Sequence, residues 1–307
     1  MPKMAACPGC GGSRWKPPRP GGFRFHGVHY RRVACAECGL MGLDPTPGVE
    51  VWPLMYSEGY FNAYSVHHST SAGYAAGREV AERVAEARLD RILPCAASGR
   101  LLDVGCAGGH FLAVARRRGY DVLGVEYSSA MAAYARDTYS LPVLEGDVLH
   151  LDLPGPFDIV HMEDVLEHLA DPLAVLRKLH ALLAPTGRLV LDGPLERQPN
   201  LALGLLELNL RLKDVEDPEM APAHVWQFTL ATQRRLLARA GFREERAWVY
   251  QEDGHAIAPG VTGLQRLRRR AAAAVGALSS WISRQPFLSF LSHGDRALVL
   301  YRRTEAP

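Results

Sequence analysis

Apolar and polar residues follow one another along this chain in two rhythms, and each change of rhythm marks an element. Leu101-Leu102-Asp103-Val104 is a short apolar run with the length of a buried strand. A small-residue turn follows at Gly105-Cys106-Ala107-Gly108-Gly109. Then comes a helical pattern with Phe111, Leu112, Val114 and Ala115 on one face, and Arg116, Arg117 and Arg118 running out to Gly119. A second apolar run, Val122 to Val125, ends on Glu126. Strand, glycine turn, helix and strand closing on an acid make the first unit of a nucleotide-binding α/β sheet. The pattern continues with a helix opened by Ser128-Ser129 and a strand over 143–147 ending on Asp147. A strand over 157–162 and an amphipathic helix through Leu173, Leu176, Leu179 and Leu182 come next. Pro185-Thr186-Gly187 stops that helix ahead of a strand over 188–192. A helix from Leu230 to Ala240 is closed by Gly241, and strands over 242–250 and 296–301 finish the sheet. Upstream, residues 74–93 read helical with Val80, Val84, Ala87 and Arg91 as one stripe, and Pro94 and Gly99 end that helix.

The turn carries the candidate chemistry. Glycine lets the backbone turn and lets a ligand approach the main chain. A helix start presents unpaired N–H groups, and an acid about twenty residues on can accept from two ribose hydroxyls. A dinucleotide fingerprint needs three glycines where this chain has Gly105, Ala107 and His110, so NAD and FAD are disfavoured. No G-K-[ST] follows the turn, so a phosphate P-loop is absent.

The stretch Leu-Asp-Val-Gly-Cys-Ala-Gly-Gly-His-Phe-Leu resembles the first motif of class I S-adenosylmethionine (SAM) methyltransferases. Ala107 departs from it, standing where the family usually has glycine, and the smallest side chain predicts a slightly tighter fit. Val165-Leu166-Glu167-His168 followed by Asp171-Pro172 is similar to the family's signature after the fourth strand. The stretch LLAPTGRLVL is also similar, as is His224-Val225-Trp226-Gln227-Phe228-Thr229. The resemblance implies an α/β fold: a Rossmann-like seven-stranded sheet with helices on both faces and a final hairpin return. It implies that Asp103, Gly105, Cys106, Ala107 and Gly109 hold the methionine end of SAM. Glu126 and Tyr127 would lie at the ribose and Asp147 and Val148 at the adenine, with Met162 and Glu163 completing the cofactor side. Asp147 reads equally well as a turn acid. His168 or His224 would serve as general base, and each is also credible as a structural residue.

Ahead of this domain lie Cys7-Pro8-Gly9-Cys10 and Cys35-Ala36-Glu37-Cys38, two C-x-x-C pairs about two dozen residues apart, a tetrahedral zinc pattern. A redox site or a pair of disulfides are the rival readings. The second knuckle and the residues through Pro47 resemble the zinc-binding region that precedes the methyltransferase domain in deoxysugar C-methyltransferases and other natural-product enzymes. Tyr56 to Phe61, with Tyr60, is similar to the aromatic segment over the SAM pocket, although aromatics also serve to pack such an arm. The expected organisation is a zinc ribbon over 1–48, a helical arm over 49–98 and a SAM-binding domain over 99–307. Two inserts interrupt that domain, a lid at about 194–222 with an apolar core at Leu201–Leu212, and an amphipathic one at about 253–294. In the second, Leu264 to Ile282 forms an apolar face with Arg266, Arg268, Arg269 and Arg270 at its start. That helix can pack on the domain, lie on a membrane surface or touch an anionic acceptor.

Charge narrows the partner. In 307 residues Lys plus Arg number 35 against 33 Asp plus Glu, a net charge of +2, so no global basic field calls for nucleic acid. The start has no signal-peptide core, and Ala271 to Leu278 is too short to span a bilayer, so a soluble cytoplasmic protein is expected. The expected function is SAM-dependent methyl transfer to a small-molecule acceptor, a sugar or natural-product intermediate. An RNA methyltransferase gripping phosphates through the ribbon and Arg266–Arg270 is one alternative, and a non-catalytic SAM-fold binding protein is another.

Overall fold

Three short strands open the chain: Phe23–Phe25 (β1), Val28–Ala34 (β2) and Met41–Asp44 (β3). A one-turn helix, Trp52–Met55 (α1), and a long one, Ser71–Ile92 (α2), lead into the main domain. There the chain alternates as Gly99–Val104 (β4), His110–Arg117 (α3), Tyr120–Glu126 (β5), Ser129–Tyr139 (α4), Val143–Glu145 (β6) and Phe157–Glu163 (β7). A 3₁₀ turn at Leu166–His168 precedes Pro172–Leu182 (α5), Leu183–Pro194 (β8), Trp226–Gln227 (β9), Leu230–Arg239 (α6), Phe242–Tyr250 (β10) and Arg296–Arg303 (β11). The computed structural model describes residues 6–18, 22–48, 51–55, 71–92, 98–197, 221–222, 224–250 and 296–304. Tyr60 and its aromatic segment, the expected lid helix at Leu201–Leu212 and the Leu264–Ile282 helix with its arginines lie outside them.

Seven strands pair in the order β10-β11-β8-β7-β4-β5-β6. The strands from β4 to β8 run parallel, and β11 returns antiparallel between β8 and β10, the expected final hairpin. Sheet residues alternate between two cores, as strand geometry requires. Leu102, Val160, Leu189 and Val299 face α5 and α6 with Leu176, Leu179, Leu236 and Leu237. Leu101, Ile159, Val190 and Leu298 face the other way, onto Leu89 and Ile92 of α2, Leu112 of α3 and Ala135 of α4.

Two boundaries and one helix face differ from the sequence reading. Strand β6 stops at Glu145, and β8 starts at Leu183, ahead of the Pro-Thr-Gly expected to interrupt the chain. The stripe expected on α2 is also displaced. Val80 and Val84 are half exposed, at 51% and 49%, while Ala85, Arg88, Leu89 and Ile92 are buried. The buried face includes a charged residue whose partners lie far along the chain, so apolar spacing alone pointed to the neighbouring face.

The first three strands do not form a free-standing unit. β9 adds to them, giving a four-stranded sheet β1-β2-β3-β9 in which Gly42 pairs with Trp226. Trp226 is 4% exposed and donates its indole N–H to the Leu169 carbonyl at 2.9 Å. Arg239 of α6 donates to the carbonyls of Cys7 and Pro8 at 3.0 and 2.5 Å, binding the first knuckle to the main domain. Among the described residues no helix is long and apolar enough to cross a membrane.

The turn after β4 is left-handed at three places: Gly105 (φ 74°), Ala107 (φ 45°) and Gly109 (φ 80°). At Gly105 a Cβ would meet Val165 Cγ2 at 2.4 Å, and at Gly109 it would meet Leu141 Cδ1 at 2.6 Å. These two glycines are therefore demanded by the protein's own packing. The departure at Ala107 shows itself as backbone strain, since an alanine in the left-handed region costs about 1–2 kcal/mol.

Two stability tests follow from these contacts. Ala107→Gly relieves the strain against the entropy that glycine adds to the unfolded chain, and should raise stability by about 0.5–1 kcal/mol in urea unfolding. Gly42→Ala places a Cβ 2.6 Å from Trp226 Cζ3. This overpacking should cost about 1–3 kcal/mol and lower the melting temperature.

Candidate active site

Parallel strands put the ends of β4, β5, β6 and β7 along one edge, where ligands bind in open α/β folds. At the end of β5, Glu126 is 8% exposed and braced by two backbone donors. Ala107 N–H donates to Oε2 at 2.8 Å and Ser128 N–H to Oε1 at 2.7 Å. Burial pushes its pKa up, and these amides pull it back. Each oxygen keeps a further lone pair, so the carboxylate can still accept two hydroxyl donors. Ser128 caps α4 only by position: its side chain makes no capping bond.

Asp103, Gly105, Cys106, Ala107, Gly109, Glu126, Met162 and Glu163 are all brought to the same edge, on adjacent strands. Their roles differ there. Asp103 is 3% exposed and accepts from buried His161 Nδ1 at 2.7 Å across the β4–β7 pair. The ring of Phe111 stacks on His161 at 3.9 Å. Cys106 is buried, and burial raises its thiol's pKa, followed by the charges of Asp103 and Glu126, so it contributes backbone and volume. Met162 is a core residue at 1% exposure. Glu163 accepts from Arg88 at 2.6 Å, and Arg88 also donates to Asp192 at 2.8 Å. Tyr250 donates to the other Asp192 oxygen at 2.7 Å, and Arg296 donates to Asp164 at 2.7 Å. Two arginines thus pair with three acids at the ends of β7 and β8, and α2 is pinned to this edge through Arg88.

Beyond β6, Asp147 does what a turn acid does. It accepts from Leu149 N–H at 2.9 Å and pairs with His150 at 3.0 Å, beside buried Val148. Tyr127 meets Trp52 of α1 edge-to-face at 5.5 Å, so the N-terminal arm reaches the cofactor edge through Trp52, a residue the sequence reading did not single out.

His168 and His224, 56 positions apart, come together with their rings 4.8 Å apart at 81°. Glu167 lies beside them, 3% exposed, with His168 Nε2 3.8 Å from its Oε1. His224 Nδ1 is 2.7 Å from Glu196 Oε1. Burial, with Asp164 adding to it, pushes Glu167 up to about 8. At His224, burial acts downward, but the bond and charge of Glu196, then Glu167 and Asp164, carry the group up to about 9. Glu167 stood inside the quoted Val-Leu-Glu-His motif, where the histidine drew the attention. Glu196 had no sequence signal, lying in the stretch assigned to the lid.

The four expected metal ligands also converge. Cys7 Sγ and Cys38 Sγ are 3.6 Å apart, as are Cys10 Sγ and Cys35 Sγ, and all four sulfurs lie within 4.8 Å of one another. A disulfide would need about 2.05 Å, whereas a tetrahedron of ~2.3 Å zinc–sulfur bonds has edges of about 3.8 Å. The residues fit a tetrahedral thiolate-bound ion, and all four are free thiols in this structure.

Comparison with known proteins agrees with this architecture. The family model described as "Methyltransferase domain" matches residues 76–246, more than half of the chain. A ubiquinone biosynthesis O-methyltransferase of Pseudomonas aeruginosa is 33% identical over 118 residues, covering 35% of this chain and 49% of that protein. The protein of the same name from Psychrobacter arcticus is 35% identical over 130 residues, covering 38% and 50%. The chain thus spans about half the length of the curated relatives it matches. Among solved structures, magnesium protoporphyrin IX methyltransferase from Synechocystis PCC 6803 with bound SAH superposes with a TM-score of 0.50. That match is at 16% identity, over 81% of this chain and 96% of that one, and reports on the fold. With the seven-stranded sheet and the turn after its first parallel strand, this chain belongs to the methyltransferase-domain family and has the class I methyltransferase fold.

Proposed function

We propose that the protein transfers a methyl group from SAM to an oxygen of a small-molecule acceptor, a sugar or natural-product intermediate. The observation that carries the cofactor half is Glu126, held by Ala107 and Ser128 with two lone pairs to spare. That is the donor-accepting geometry a ribose diol needs. The names of the O-methyltransferase relatives support a small organic acceptor with an oxygen nucleophile. Tyr127 and Trp52 would border the nucleoside side. Asp103 and the Gly105–Gly109 backbone would border the methionine side. Asp147 and Val148 remain the adenine-side assignment, with Met162 packing behind. Tyr60 is assigned to the cover of that pocket on resemblance alone.

SAM supplies a methyl group already activated on a sulfonium, whose leaving group is neutral. What remains for the chain is to align acceptor oxygen, methyl and sulfur, and to deal with the acceptor's proton. We assign that second task to His168 and His224, the histidines at the same strand edge. The four cysteines would hold a structural Zn²⁺ that fixes the β1–β3 sheet, and with it the β9 residues next to His224.

Two measurements check this. Titrating SAH into Glu126→Gln by calorimetry should show about 10- to 100-fold weaker binding than wild type, as expected for losing one or two charge-assisted hydrogen bonds. An unchanged affinity in a variant with native melting behaviour removes the ribose assignment. Elemental analysis should find zinc that Cys38→Ser loses, together with a fall in melting temperature. A metal-free wild-type ribbon of full stability contradicts the zinc assignment.

A further inference from the structure

Glu167 is the exception among the buried acids of the strand edge. It is 3% exposed, and among the described residues its buried Oε1 has no hydrogen-bond partner, the nearest ring nitrogen, His168 Nε2, standing off at 3.8 Å. A carboxyl group taken out of water without a partner is costly, so a native fold that keeps one there has a use for it. Its immediate neighbours are ligating side chains. One ligand atom each from Glu167, His168 and His224 lie within 4.8 Å of one another. Two imidazole nitrogens and a carboxylate oxygen form a donor set that first-row divalent ions accept, while the four thiolates of the ribbon suit softer binding. His224 is also held as a metal-bound histidine usually is. Its Nδ1 bonds to Glu196 at 2.7 Å, which fixes the ring and leaves Nε2 for another partner.

We propose that Glu167, His168 and His224 bind a divalent metal ion, with Glu196 as the outer carboxylate that orients His224. Three protein ligands leave coordination positions open. The site borders the turn assigned to the cofactor, because Val165, two residues before Glu167, fills the space against Gly105. With the ion bound the two histidines deal with the acceptor's proton as ligands and not as bases: an acceptor hydroxyl at an open position loses its proton to solvent more readily, since the cation favours the oxyanion. Its oxygen then bonds to the methyl carbon, and the carbon–sulfur bond breaks with its electron pair on sulfur. This role toward the acceptor rests on the methyl-transfer reading, whereas the metal site does not. The substrate class it selects is a hydroxyl compound able to ligate a metal.

The test uses Mn²⁺, which competes poorly for thiolates, added to full-length protein already loaded with zinc. Free Mn²⁺ is followed by its paramagnetic resonance signal, and SAH is titrated into the same preparation. The expected result is saturable binding of one ion per chain, weakened at least tenfold in each of Glu167→Gln, His168→Gln and His224→Gln. Glu196→Gln preserves volume and should weaken binding by about 10- to 100-fold, the usual effect of losing an outer-shell carboxylate. SAH affinity should stay at the wild-type value in all four. Mn²⁺ binding that does not saturate, or that survives all four substitutions in proteins with native melting curves, overturns the proposal. That result would leave a cluster closed by shared protons. Failure of wild-type protein to bind SAH while it binds Mn²⁺ overturns the methyl-transfer reading and leaves the metal site standing.

Discussion

Carboxyl groups brought out of water at one edge of a parallel sheet must each be compensated, and the structure is arranged around how that is done. Asp103 is answered by His161 from the neighbouring strand. Glu126 is answered by two backbone amides, one from the turn after the neighbouring strand β4 and one from the helix start beyond it. Glu163 and Asp192 share Arg88, and Arg296 approaches buried Asp192 at 3.6 Å while pairing with exposed Asp164. Breaking a buried pair leaves an uncompensated charge worth several kcal/mol. These acids therefore fix the positions of α2, of the glycine turn and of the final hairpin more firmly than apolar contacts alone would.

The same chemistry separates the functional positions from the scaffold. Where compensation comes from a side chain, as at Asp103 and Glu163, the acid ties its strand to a neighbouring element. Where it comes from backbone N–H groups, as at Glu126, the carboxylate is held still yet retains acceptor sites. Where no hydrogen-bond partner stands within reach among the described residues, as at Glu167 Oε1, the group keeps its bonding capacity for another partner. Fixing a group in place without exhausting its valence is what a preorganised site requires.

Much of this was legible in the chain itself. The unit from Leu101 to Glu126 reads directly, because a strand buried on both faces is a continuous apolar run and its glycines sit where the turn demands them. The cysteine pairs read equally well, since their spacing already encodes two turns facing one point. Pairings between distant positions did not read. Arg88 looks like a surface residue on a charged helix until the fold sets it against Glu163 and Asp192, 75 and 104 positions away. Glu196 and His224 meet across 28 positions that no local period connects. The strain at Ala107 was visible as a departure from a motif, but its cause is a dihedral angle that only the folded backbone displays.

The two-residue strand β9 has a consequence for how such a chain can be altered. Composition suggests a seam between the cysteine-rich arm and the sheet domain, yet Met41 and Gly42 pair across it with Gln227 and Trp226. Only Val225 and Trp226 separate His224 from Gln227. Cutting or exchanging the arm as a cassette would remove the ladder that anchors the segment carrying His224, so arm and sheet domain are expected to evolve as a single inherited block.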